Sequence, residues 1–132
     1  MKLDPSVRSL LLRVMRRFPE VASPMLARAR ANRSVANSTT DMLEEFARQT
    51  QRTVRGGNAS LAGSYLQFVS IALDTSDSKQ REYIDVYFVE GLLHGLPPAV
   101  QKEVWSLMPT NLRQLHVAMW GEPAFVRKGT RK

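Results

Sequence analysis

Proline and glycine cut this chain into segments that suit short helices and little else. Proline stands at positions 5, 19, 24, 97, 98, 109 and 123, and glycine marks 56–57, 95 and 121. A proline at the first helical position costs nothing, because its missing N–H has no helical partner there; a proline further along stops or strains the helix. Between these marks the apolar residues recur at helical spacing. Asp4-Pro5 opens the first segment, where Val7, Leu10, Leu11, Val14, Met15 and Phe18 share one arc and Arg8, Arg13, Arg16 and Arg17 fall opposite, until Pro19 closes it.

The same reading continues along the chain. A short helix is expected after Ser23-Pro24, and the polar stretch from Asn32 to Thr40 reads as a loop. A second long helix starts near Thr40 or Asp41. It has Met42, Leu43, Phe46, Ala47, Thr50 and Val54 on one face and Glu44, Glu45, Arg48, Gln51, Arg52 and Arg55 on the other. Gly56-Gly57 ends it. Asn58 caps a third helix running to about Leu73, and the DTSDS cluster at 74–78 is a turn. The fourth helix carries YIDVYFVEGLLHG at 83–95 and stops at Gly95; Pro98 begins a fifth, and Pro109-Thr110 introduces a sixth that ends at Gly121. β-branched residues are scattered and no period-two run is sustained. The expectation is an all-α fold: a compact single-domain bundle of five to six helices over residues 1–121, followed by a basic, partly disordered tail at 122–132.

Composition narrows the chemistry. With no cysteine, disulfides, thiolate catalysis and cysteine metal sites are excluded. No stretch approaches the ~18 consecutive apolar residues of a membrane span, and the N-terminal segment, broken by arginines, is no signal peptide, so a cytoplasmic protein without membrane association is expected. The net charge of +7 is uneven: residues 1–56 hold 11 basic and 5 acidic side chains, residues 57–121 hold 4 and 6, and residues 122–132 hold 4 and 1. Basic character therefore lies at the two ends and the middle is mildly acidic, which suggests two different surfaces.

The acidic middle contains the most informative helix. On a helical wheel Ile84, Phe88 and Leu92 form one apolar face, and Val86, Val89 and Leu93 form a second. Tyr83, Tyr87, Glu90 and His94 line up between them at i, i+4, i+7 and i+11, with Asp85 nearly alone on the far side. A helix apolar on two sides is packed on two sides. Its polar edge then faces a groove or solvent. Glu90 and His94 share a face but lack the third ligand that a catalytic zinc requires. Asp85 and Glu90 point apart, so they do not form an acid–base pair, and no phosphate-binding loop, dinucleotide fingerprint or nucleophile elbow is present. No catalytic, metal or cofactor-binding residue is assigned. Two readings of the edge stay open: Tyr87 and Glu90 hydrogen-bonded within the bundle, with His94 at the helix C-terminus, or a protein-binding surface built from Asp77, Glu82, Tyr83, Asp85, Tyr87, Glu90 and His94. The arginines at 8, 13, 16 and 17 offer nucleic-acid binding as an alternative, although charged outer faces are commonly just solvated. Met108, Trp120 and Phe125 are candidates for an apolar surface near the C-terminal end.

The segments FPEVA (18–22), SYLQFV (64–69) and YFVEGL (87–92) resemble small helical bacterial immunity proteins, which are paired with polymorphic toxins of the Rhs, contact-dependent or type VI secreted kinds. The resemblance covers residues 57–121 and part of the first helix, and leaves the basic N-terminal half and tail unexplained. It implies a non-enzymatic protein that binds and neutralises one cognate toxin, and it carries no catalytic residue over.

Overall fold

The computed structural model describes residues 5–31 and 38–126; the Asp4 cap, residues 32–37 of the loop expected at 32–40 and residues 127–132 of the tail expected at 122–132 lie outside these residues. Among the described residues there are seven α-helices, one π-helical turn and no strand. In chain order they are α1 (Pro5–Arg17), α2 (Pro19–Ala31), α3 (Ser38–Arg55), α4 (Ala59–Asp74), α5 (Ser78–Tyr83), the π turn (Ile84–Val89), α6 (Pro98–Leu107) and α7 (Thr110–Trp120). The all-α expectation holds, with more helical elements than the five or six read from the sequence. No helix among the described residues is long and apolar enough to cross a membrane.

The punctuation works largely as its chemistry dictates. Asn58 Oδ1 accepts from the Leu61 amide at 3.1 Å, and Asp77 Oδ1 accepts from the Gln80 amide at 2.8 Å, each satisfying one orphan donor at a helix start. Gly57 follows α3 at φ 86°, a left-handed conformation that side chains with a Cβ resist. The helix expected after Ser23-Pro24 begins earlier, at Pro19, and runs through Pro24. Pro24 cannot donate to the Glu20 carbonyl, and the helix tolerates that loss while burying Val21 and Met25 almost completely. Likewise α3 begins at Ser38, ahead of the expected Thr40 or Asp41.

The hydrophobic core centres on α3, which packs against α1, α2, α4, α6 and the π turn. Phe46 is fully buried, with its ring centroid 5.3 Å from that of Tyr65, 5.4 Å from Phe88 and 6.4 Å from Phe18. Phe18 in turn meets Tyr65 edge-on at 4.7 Å and Phe68 at 5.7 Å, arrangements favoured by the ring quadrupoles. The Tyr65 hydroxyl reaches the edge of this cluster and donates to Glu20 Oε2 at 2.7 Å. Burial, and then the hydrogen bond and charge of Glu20, push the Tyr65 phenol well above its ordinary value.

The fourth helix departs from its sequence expectation. It does not continue to Gly95. It leaves α geometry at Ile84, makes a π turn in which the Glu90 amide donates to the Asp85 carbonyl at 3.1 Å, and dissolves into tight turns from Glu90 onward. Ending a helix against the core strands its last carbonyls. Two glutamines supply the missing donors. Gln51 Nε2 on α3 donates to the carbonyls of Gly91 and Leu92 at 2.9 Å and to that of His94 at 3.1 Å, one N–H being shared, and Gln101 Nε2 on α6 donates to the Leu93 carbonyl at 2.9 Å. Gly95, at φ 74°, then turns the chain toward α6.

Two predictions follow from this packing. Stability that comes from keeping Tyr65 neutral is fully present below the unfolded tyrosine value of about 10 and is lost as pH rises beyond it toward the higher folded value. Between about pH 9 and about pH 11 the melting temperature of the wild type should therefore fall more steeply than that of Tyr65→Phe; parallel slopes would contradict the assignment. Gln51→Met keeps the length of the side chain and removes its donors, and should cost about 1–3 kcal/mol in urea denaturation. Gln51→Glu sets a carboxylate against the same carbonyls and should cost more than Gln51→Met; a Gln51→Glu protein as stable as the wild type would refute the clasp.

Candidate binding cleft

The π turn and its closing turns face α3 across a cleft of about 570 Å³. Glu44, Ala47, Arg48 and Gln51 form the α3 wall, at spacings of three, four and seven residues that put them on one face. Val86, Tyr87, Glu90, Gly91 and His94 form the opposite wall, and Trp120, the last residue of α7, stands at the rim with 61% of its surface exposed. Gln51 both lines the cleft and clasps its far wall, so the separation of the two walls is held by side-chain–backbone hydrogen bonds.

The seven residues proposed from the sequence as one surface are divided by the fold. Tyr87, Glu90 and His94 share the cleft wall even though the helix through them is broken. Tyr83 flanks them, its ring 5.0 Å from that of Tyr87, with Lys79 Nζ 5.9 Å from the Tyr83 ring. Asp77 caps α5 and accepts from Ser6 Oγ of α1 at 3.3 Å, which gives it a structural task. Glu82 is exposed on α5 and pairs with Lys79 at 3.5 Å. Asp85 lies outside the cleft lining; its Oδ1 is buried without a hydrogen-bond partner among the described residues. Burial pushes the Asp85 carboxyl above its ordinary value, and the nearby Arg81 charge opposes that shift.

Within the cleft, the side chains of Tyr87, Glu90 and His94 make no hydrogen bond or ion pair among the described residues. The bundle does not consume the polar edge. Charge on the α3 wall is more engaged. Arg28 of α2 sits 3.7 Å from Asp41, 3.7 Å from Glu44 and 3.9 Å from Glu45, and Arg48 lies 4.0 Å from Glu45. Glu45, placed by the sequence on an outer face, is only 5% exposed and also accepts from Gln49 Nε2 at 2.7 Å. A carboxylate so far from water is held by such neighbours. Val86, expected on a buried apolar face with Val89 and Leu93, is instead exposed in the cleft.

The sequence places Glu44, Arg48 and Gln51 only on an outer face, and Trp120 only in an apolar surface, not as partners of the polar edge. Their one legible signal is the polar row Glu44, Arg48, Gln51 on α3. Of the apolar surface expected near the C-terminal end, Met108 is buried, Trp120 is exposed, and Phe125 packs against Trp105 with ring centroids 6.2 Å apart. A second cleft of about 430 Å³ on the other side of Trp120 is lined by His116, Pro98 and Phe125 among others. His116 Nδ1 is buried without a partner among the described residues, and loss of solvent holds that imidazole below its ordinary value. Among the described residues no group of three histidine, aspartate or glutamate side chains is placed to hold a metal ion.

Neither a curated protein nor a solved structure matches the chain. Residues 11–121 match a family defined as a domain of unknown function, and that span takes in α2–α7, the aromatic core and both walls of the cleft. The chain belongs to the DUF7674 family.

Proposed function

We propose that this chain is a non-enzymatic protein-binding module, an immunity protein that acts in the cytoplasm to bind and neutralise a cognate bacterial toxin. The observation that carries the binding reading is the cleft itself. Among the described residues the side chains of Tyr87, Glu90 and His94 make no hydrogen bond or ion pair, and the exposed Trp120 stands beside them. Tryptophan and tyrosine at the edge of a concave surface are the residue types that dominate binding energy when a partner desolvates them. The toxin reading draws on the resemblance at FPEVA, SYLQFV and YFVEGL. In the fold these segments converge: Phe18 meets Tyr65 and Phe68, Glu20 accepts from Tyr65, and Phe88 meets Phe46. The third segment also carries Tyr87 and Glu90 outward into the cleft. The shared pattern thus joins a core to a surface.

A second reading, a small nucleic-acid-associated or regulatory protein, rests on α1. Arg8, Arg13, Arg16 and Arg17 are all exposed and make no ion pair among the described residues; the Arg17 guanidinium lies 4.8 Å from the centre of the Phe18 ring. Such a row can neutralise phosphates, and its binding would weaken steeply with salt.

Co-expression with a candidate cognate toxin domain separates the readings. Rescue of growth and a stable complex are expected. Trp120→Ala should weaken that complex by about 2 kcal/mol or more, roughly 30-fold, without unfolding the bundle. Arg13→Gln combined with Arg16→Gln should change affinity by less than about threefold, as expected for a solvated face. An intact complex in Trp120→Ala, with a large loss in the arginine variant and salt-dependent binding to non-specific DNA or RNA, would move the function to α1.

A further inference from the structure

We infer that the cleft between α3 and the π turn receives one arginine side chain of the partner protein; this assignment rests on the binding reading above and names its chemistry. The chain as a whole is strongly basic, yet this cleft is not. Glu44 and Glu90 line it from opposite walls, and the one arginine of the lining, Arg48, lies 4.0 Å from the buried Glu45. Glu44 shares Arg28 with two other carboxylates, while Glu90 has no counter-charge among the described residues. The carbonyls of Gly91, Leu92 and His94 on the same wall are taken by Gln51 Nε2, so Glu90 is the anion left open on that side.

The neutral part of the lining selects the kind of cation. Trp120 and Tyr87 line the cleft with aromatic rings, and the exposed Val86 adds apolar surface suited to a long aliphatic stem. A guanidinium is planar, stacks on aromatic rings and binds a carboxylate through two parallel N–H donors, whereas an ammonium is a strongly hydrated point charge that does neither as well. About 570 Å³ holds an arginine side chain together with the backbone that carries it. His94, on the same wall, is exposed.

The test is an NMR titration of the full chain with the capped tripeptide acetyl-Gly-Arg-Gly-amide, alongside its lysine, citrulline and glutamate counterparts. Citrulline keeps the shape of arginine and removes its charge. The arginine peptide should give saturable shifts at the Trp120 indole N–H and the Gly91 amide. Affinity should fall about tenfold or more for the citrulline peptide, and about tenfold for the arginine peptide on Glu90→Gln, a half-buried and isosteric change whose spectrum should otherwise overlay the wild type. Equal binding of the citrulline or lysine peptide, shifts confined to another surface, or no saturable shift would each overturn the arginine assignment. If the peptide fails while Trp120→Ala still weakens the toxin complex, the arginine assignment alone is lost. If Trp120→Ala also leaves that complex intact, the cleft is no binding surface.

Discussion

Phe46 holds together parts of the chain that are far apart in sequence. Its ring lies among those of Phe18 at the α1–α2 junction, Tyr65 on α4 and Phe88 in the π turn, so four segments meet around one side chain. Apolar burial supplies the attraction, and the tilted and edge-on ring contacts restrict how the helices can rotate. One rim of the cluster is closed by the Tyr65–Glu20 hydrogen bond, which ties α4 to α2. Because α3 carries Phe46, its rotation about its own axis is set by the core, and that rotation decides which of its polar residues face outward and where.

One consequence lies five residues further along α3. With Phe46 buried, Gln51 is aimed at the end of the helix that contains Phe88, where the carbonyls of Gly91, Leu92 and His94 need donors. The helix can stop there because the amide meets that need. Its stopping opens the cleft, and the same turn places Tyr87, Glu90 and His94 on the wall. Core packing, helix termination and the shape of the cleft wall are thus linked through a single glutamine. The π turn fits this arrangement: its wider winding carries the backbone away from α geometry just before the clasp.

How much of this was legible follows from the range of the forces involved. Local chemistry read well: Asn58, Pro98, Pro109 and Gly121 act where they stand, through caps and proline starts that involve only near neighbours. The apolar arcs of α1 and α3 read well for the same reason. Pro24 misled, because burial of Val21 and Met25 outweighs one missing hydrogen bond. The break after Val89 was hidden, since its donor comes from a residue 40 positions earlier. Glu45 looked like an outer-face carboxylate until Arg28 and Arg48 were brought beside it. The proposed surface was half legible. Tyr87, Glu90 and His94 share a face in α winding and still line one wall after the helix ends, but Asp77 is spent on a helix cap and Glu44 and Trp120 arrive from other helices.

The most direct measurement is hydrogen exchange across the whole chain, free and with the cognate toxin that the proposed function calls for. A partner seated between the two walls should slow exchange in residues 44–51 and 86–94 and around Trp120, and leave the amides of α1 unchanged. Protection confined to α1, with both walls of the cleft exchanging as in the free protein, would contradict the cleft as the binding surface.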